Sequence, residues 1–213
     1  MSLTQKEISY TTTNSYSTLN TLTHKTKNVW FVCHGMNYLS RYFLKYFDEL
    51  DAEENYIIAP QAQSKFYLAP KFKHVGASWL TKENTLRETE NVMRYFDEIF
   101  KAENITKNVN LIILGYSQGV SVAMRYISKR EIQCSQLILL SGGIPKELIR
   151  NDFLYLKNTT IVSLVYGTHD EYLNEERMHY EKGRINELFD NNVNIIQFDG
   201  KHEIKKEIIN NFI

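Results

Sequence analysis

Only three prolines and nine glycines punctuate the 213 residues, so each one carries positional information. The chain has no excess charge of either sign: 25 Lys and Arg balance 25 Asp and Glu, for a formal net charge of zero. A nucleic-acid binder usually carries a basic excess, so that class is set aside. No apolar run approaches the roughly 20 residues needed to cross a bilayer, so no membrane span is expected. The first ten residues, MSLTQKEISY, hold no apolar core of the kind a signal peptide needs, and no such peptide is expected. Two cysteines, Cys33 and Cys134, allow at most one disulfide. Both sit in apolar, strand-like surroundings, so the expectation is reduced core thiols and a cytoplasmic setting. Internal repeats, low-complexity tracts and linkers are missing too, and the length fits a single domain spanning residues 1–213.

What is present is an ordinary globular balance, 43% hydrophobic and 23% charged, with 13% aromatic residues. Residues 7–23, rich in Thr, Ser and Tyr, read as one or two exposed edge strands in a hairpin. NVWFVC (28–33) is nearly all apolar, as expected of a strand buried on both faces. Leu39, Tyr42, Phe43, Tyr46, Phe47 and Leu50 recur at spacings of three and four and predict an amphipathic helix. YIIAP (56–60) is the next strand. Residues 61–82 lack periodicity, and a connection of that length tends to be functional. Further strands are expected at 109–115, 136–143, 159–167 and 193–200. Helices are expected around 86–100, after residue 119, around 178–189 and at the C-terminus, with a short turn or helix near PKELIR. Strands alternating with helices imply parallel βαβ units, with helices on both faces of one mostly parallel sheet.

Most of the glycines fall just after a predicted strand. In an open α/β sheet, ligands bind beyond the carboxyl ends of the strands. There LIILGYSQGVSVAM (111–124) places Gly115-Tyr116-Ser117-Gln118-Gly119, a Gly-x-Ser-x-Gly pattern, between a buried strand and an amphipathic helix. Serine in such a turn is strained, and the flanking glycines permit the close approach of strand and helix. The hydroxyl then stands at a helix start, where free amides favour developing negative charge.

A serine nucleophile needs a base held by a carboxylate. Of six histidines, His24 is N-terminal, His74 lies in the long loop, and His179 falls within a predicted helix. His169 sits close to a strand end, and His34 follows the first buried strand, where it reads as a brace for the loop. His202, in DGKHEI after the last strand, is at the carboxyl edge and is the best candidate base. For the acid, VYGTHDEY (165–172) offers Asp170 and Glu171 at the same edge. Asp170 is preferred, and Asp199 reads as a turn former. Two amide donors are expected for an oxyanion: Gln118, next to the serine, and Met36 in the loop CHGMN after the first buried strand.

These residues resemble the α/β-hydrolase superfamily, and within it the small carboxylesterase, phospholipase and acyl-protein-thioesterase group. The resemblance rests on FVCHGM, GYSQG, LLSGGIP, YGTHDEY and GKHEI and spans residues 29–213. It implies the α/β-hydrolase fold without a large lid domain, and a triad of Ser117, Asp170 and His202. Met36 and Gln118 would then be the oxyanion donors. The family often has glycine two residues past His-Gly, where this chain has Asn37, and its aromatic segment is loosely matched by GASWL (76–80). The reaction implied is hydrolysis of a small-molecule ester or thioester, with no metal or organic cofactor. Tyr38, Trp79, Tyr116 and Tyr172 are candidate walls of an open groove. A non-catalytic binding protein of the same fold, or a peptidase or lipase, are the other readings. Acyl length and oligomeric state are not legible.

Overall fold

The computed structural model describes residues 3–105 and 108–213. A seven-stranded sheet runs in the order β1-β3-β2-β6-β7-β8-β9. Its strands are β1 (Tyr16–Leu19), β2 (Asn28–Cys33), β3 (Asn55–Pro60), β6 (Asn110–Tyr116), β7 (Gln136–Leu140), β8 (Ile161–Gly167) and β9 (Asn194–Phe198). Only the edge strand β1 is antiparallel, to β3; the remaining pairings are parallel. The helices are α1 (Ser40–Phe43), α2 (Thr85–Glu103), α3 (Gln118–Arg130), α4 (Glu175–Leu188) and α5 (Lys206–Asn210). None of the described helices is long and apolar enough to cross a membrane.

The apolar strands divide their side chains between two cores, as the period of two requires. On β2, Val29, Phe31 and Cys33 face a core completed by α2, α3 and α4, through Met93, Phe96, Met124, Ile127, Met178 and Ile185. Trp30 and Val32 face the opposite layer, with Phe43, Phe47, Ile209 and Phe212. Each fully buried side chain of this size contributes about 1.5–3 kcal/mol. Cys33 and Cys134 are free and buried; burial pushes the Cys134 thiol up to about 12.

At the amino end of the sheet, Asn28 pairs in register with Asn55 on one side and Asn110 on the other. Asn28 Nδ2 donates to Asn55 Oδ1 at 3.1 Å, and Asn110 Nδ2 donates to Asn28 Oδ1 at 3.1 Å. Trp30 Nε1 donates to the same Asn55 oxygen at 3.0 Å. This amide ladder gives the buried Asn55 carboxamide and Trp30 indole their partners. It also pins the register, and with it the opposite rim, where Cys33 lies across from Gly115 and Gly167 across from Phe198.

Three expectations change. The segment expected to form one helix over 39–50 is a single turn, α1, followed by a 3-10 turn at Leu44–Tyr46. Phe47 N donates to Leu44 O, and Leu50 N to Phe47 O. The i to i+3 bonds rotate Phe43, Leu44, Phe47 and Leu50 onto the core, and tight aromatic packing outweighs helix propensity there. The N-terminal hairpin reduces to β1, because only Tyr16–Leu19 finds a partner strand. Residues 61–82 hold an antiparallel hairpin, β4 (Ser64–Tyr67) with β5 (Val75–Ser78), outside the main sheet. All of β4 is exposed, so it shows no buried alternation to read.

Candidate active site

The turn between β6 and α3 carries Ser117 at φ 53°, ψ −119°, a conformation uncommon for a residue with a side chain. Its neighbours hold it there: Ser117 N donates to Leu140 O at 2.8 Å, and Val120 N to Ser117 O at 3.1 Å. The flanking glycines have specific reasons. A Cβ on Gly119 would lie 2.0 Å from Cys33 O, and one on Gly115 would lie 2.5 Å from Val120 Cα. Any side chain at either position would drive α3 off the sheet.

His202 follows β9 on the same rim. Its Nε2 is 2.9 Å from Ser117 Oγ, and its Nδ1 is 2.8 Å from Asp170 Oδ2. Asp170 is buried, and its Oδ1 accepts from Tyr172 N at 2.9 Å and Leu173 N at 3.0 Å. Those bonds fix the position of the carboxylate. His202 is held from both sides: Tyr116 Oη donates to its carbonyl at 3.0 Å, and its amide points to Glu171 Oε2 at 3.5 Å. Glu171 thus meets the backbone of His202, while Asp170 meets its ring. His24, His74, His169 and His179 are exposed, and His169 faces Asp199 at 3.4 Å instead.

The loop after β2 lies against the serine. A Cβ on Gly35 would sit 3.1 Å from Ser117 Cβ. Asn37 N donates to Ala77 O at 2.9 Å. Asn37 has φ 73°, a left-handed conformation that asparagine tolerates and where glycine would serve equally. That accounts for asparagine at the position where the resemblance leads one to expect glycine. Met36, between Gly35 and Asn37, is half-exposed beside the rim.

His34 beneath this loop is fully buried. Its Nδ1 donates to Gly35 O at 2.7 Å, and its Nε2 accepts from Ala62 N at 3.1 Å. Burial lowers its pKa to about 4. It is the loop brace that its position in the sequence suggests.

The four candidate wall residues separate. Trp79 is 1% exposed, donates from Nε1 to His34 O at 2.7 Å and packs on Phe96. It is core, not a groove wall. Tyr116 is also buried and serves as the brace of His202, so it lines nothing. Both corrections have one cause: the interior needed large aromatic side chains, and their polar atoms found backbone carbonyls. Tyr38 is half-buried, its hydroxyl 3.2 Å from that of Tyr46. Tyr172 is exposed, its ring 4.8 Å from the His202 imidazole; it alone of the four stands open beside the candidate base.

Sequence reasoning treated Gln118 only as an amide donor. Its side chain does more: Oε1 accepts from Trp79 N at 2.8 Å, and Nε2 donates to Leu80 O at 2.7 Å and meets Ser78 Oγ at 3.1 Å. This ties the first residue of α3 to the end of β5. Glu181 on α4 was missed as well. Fully buried, it accepts from Ile144 N at 2.9 Å and pairs with Arg177 at 2.6 Å. It thereby anchors the loop in which a Cβ on Gly142 would lie 2.4 Å from Ser117 O. The Ser141 hydroxyl in that loop is buried with no partner among the described residues, and nothing in the structure explains it.

Comparison with known proteins bears on the family and the fold. The family model described as phospholipase/carboxylesterase matches residues 24–213. No curated protein matches the chain. Among solved structures, acyl-protein thioesterase 2 of Zea mays superposes with a TM-score of 0.68 at 15% identity, covering 93% of this chain and 96% of its own. A phospholipase/carboxylesterase from Dyadobacter fermentans gives 0.66 at 19% identity, covering 95% and 97%. The Bacillus cereus carboxylesterase gives 0.64 at 17%, covering 93% and 94%. At these identities the likeness speaks for the fold.

Proposed function

This chain belongs to the phospholipase/carboxylesterase family, and from that premise we propose that it hydrolyses carboxylic esters or thioesters through Ser117, His202 and Asp170. The observation that carries the reading is the pair of contacts at His202: Nε2 to Ser117 Oγ at 2.9 Å and Nδ1 to Asp170 Oδ2 at 2.8 Å. A neutral imidazole with its proton on Nδ1 donates to Asp170 and offers the Nε2 lone pair to the serine hydroxyl.

Ser117 Oγ attacks the carbonyl carbon as His202 Nε2 takes its proton. The carbonyl oxygen becomes an oxyanion, held by the amides of Gln118 and Met36. Removing one such donor typically costs about 100- to 1000-fold in turnover. Collapse of the intermediate breaks the bond to the alcohol or thiol, which leaves with the proton from the His202 imidazolium. Asp170 keeps the ring oriented and stabilises that cation throughout. Water then attacks the acyl-serine, His202 takes its proton, and the acid departs as Ser117 regains its hydroxyl.

The test is turnover of p-nitrophenyl esters with acyl chains of about two to sixteen carbons, which also reads the acyl preference. Ser117→Ala should leave the melting temperature in place and remove turnover down to the level left by binding and the oxyanion donors, a loss of about a millionfold. A Ser117→Ala protein with wild-type turnover rules out the reading. A fluorophosphonate probe should label Ser117 and no other residue.

A further inference from the structure

The hairpin β4–β5 combines three features. From Asn55 to Lys82 the sequence carries Lys65, Lys71, Lys73 and Lys82 and no Asp or Glu, leaving 21 basic against 25 acidic residues for the remainder. Among the described residues, no carboxylate pairs with Lys65, Lys71 or Lys73. Between those lysines stand Phe66, Tyr67 and Phe72, exposed by 39%, 64% and 63%.

Lysines on a free strand edge ordinarily guard against pairing with another chain. Exposed aromatic rings beside them do the opposite, since they leave apolar area in water that a partner could cover. Phe72 is held at φ 52° at the hairpin tip, with its amide donating to Leu68 O at 2.9 Å. Its ring is exposed there, on backbone in the strained left-handed region. Aromatic rings interleaved with lysines that no carboxylate neutralises among the described residues match the boundary of an anionic bilayer: the rings sit at headgroup depth and the ammonium groups meet lipid phosphates and carboxylates.

We infer that the β4–β5 hairpin is a docking surface for an anionic lipid bilayer. The charge asymmetry orients the approach, because the cationic hairpin faces the membrane while the net-acidic remainder is repelled by it. The hairpin root is fastened to the loop beside Ser117 through Asn37 N to Ala77 O at 2.9 Å, and a Cβ on Gly76 would meet Asn37 O at 2.8 Å. Docking would therefore bring the candidate site to the lipid surface. That consequence rests on the proposed ester chemistry; the docking itself does not.

The experiment is flotation of the full chain with phosphatidylcholine vesicles, with and without phosphatidylserine at about a third of the lipid. Binding should require the anionic lipid and weaken steeply with salt. Each lysine near such a surface is worth roughly fivefold in affinity, so Lys65→Glu, Lys71→Glu and Lys73→Glu together should lower binding by at least about 100-fold. A separate Tyr67→Ala, Phe72→Ala variant should also bind more weakly. Both should keep their circular dichroism and their turnover of a short soluble ester.

Three results overturn the inference: no binding to anionic vesicles, unchanged binding by the charge-reversed hairpin, or self-association of the chain that the hairpin variants abolish. Ser117→Ala protein separates the two proposals. If it floats with vesicles while no ester is turned over by the wild type, only the chemistry falls. If wild-type turnover persists without flotation, only the docking falls.

Discussion

His34 donates from Nδ1 to Gly35 O and accepts at Nε2 from Ala62 N, so the structure holds it neutral. Its pKa is lowered to about 4 by burial, against about 6.5 in an unfolded chain. Above pH 6.5 neither state binds a proton at this site, and stability is unaffected. As pH falls from 6.5 toward 4, the unfolded chain takes up a proton that the folded protein refuses, and stability drops by up to about 3 kcal/mol. Below pH 4 the loss levels off. Urea unfolding of wild type and His34→Gln at pH 7 and pH 4.5 isolates this contribution. The variant should be less stable at pH 7, but its decline on acidification should be shallower. Equal declines in both proteins refute the assignment.

Asp170 gives a second expectation at the same scale. Asparagine there still accepts from the amides of Tyr172 and Leu173, so Asp170→Asn should melt close to wild type. It would present the wrong partner to His202 Nδ1 and lower kcat by about 10,000-fold. The convergence of Ser117, Asp170 and His202 could be read from the sequence because each follows a strand, and strand ends share a rim. The depth of Trp79 and Tyr116 could not. Residue type says that an aromatic ring wants cover, while which face it turns to is decided by partners distant in the chain, such as His34 and His202.

Among the elements, the buried strands were the most legible. β2, β6 and β8 are short apolar runs flanked by glycine or polar residues, and the buried strand is the element that such a run satisfies. The helices α2 and α3 carry clear stripes, and each stops at a left-handed residue, Asn104 and Glu131. The segment after residue 39 misled because a three-and-four spacing of aromatics fits both an α-helix and a run of 3-10 turns. The β4–β5 hairpin left no pattern because its first strand has no buried face. The contact of α3 with β2 supplies the prediction at this scale. Gly119→Ala would push a methyl group to 2.0 Å from Cys33 O, and backbone on both sides has nowhere to yield. The expected loss is about 3 kcal/mol, or roughly 6–12 °C in melting temperature for a chain of this size. Residual folded protein should also turn over esters more slowly, since α3 begins at Gln118. A melt within a degree of wild type contradicts this packing.

Across the whole molecule, the site spans strands of unequal security. Ser117 rises from β6, in the middle of the sheet, whereas His202 follows β9, an edge strand whose residues are largely exposed. The two tryptophans lie elsewhere: Trp30 on β2 and Trp79 after β5, both essentially fully buried. Edge elements with few buried contacts open at lower free energy than central strands. Fraying of β9 and α5 would carry His202 away from Ser117 while Trp30 and Trp79 remain packed. In a urea titration, ester turnover should therefore disappear at a lower concentration than the change in tryptophan fluorescence. The Tyr116 hydroxyl bond to His202 O opposes that fraying, so Tyr116→Phe should widen the gap between the two midpoints by lowering only the first. Coincident loss of turnover and fluorescence in wild type would mean that the last strand unfolds with the sheet as one unit, and that His202 is held as firmly as Ser117.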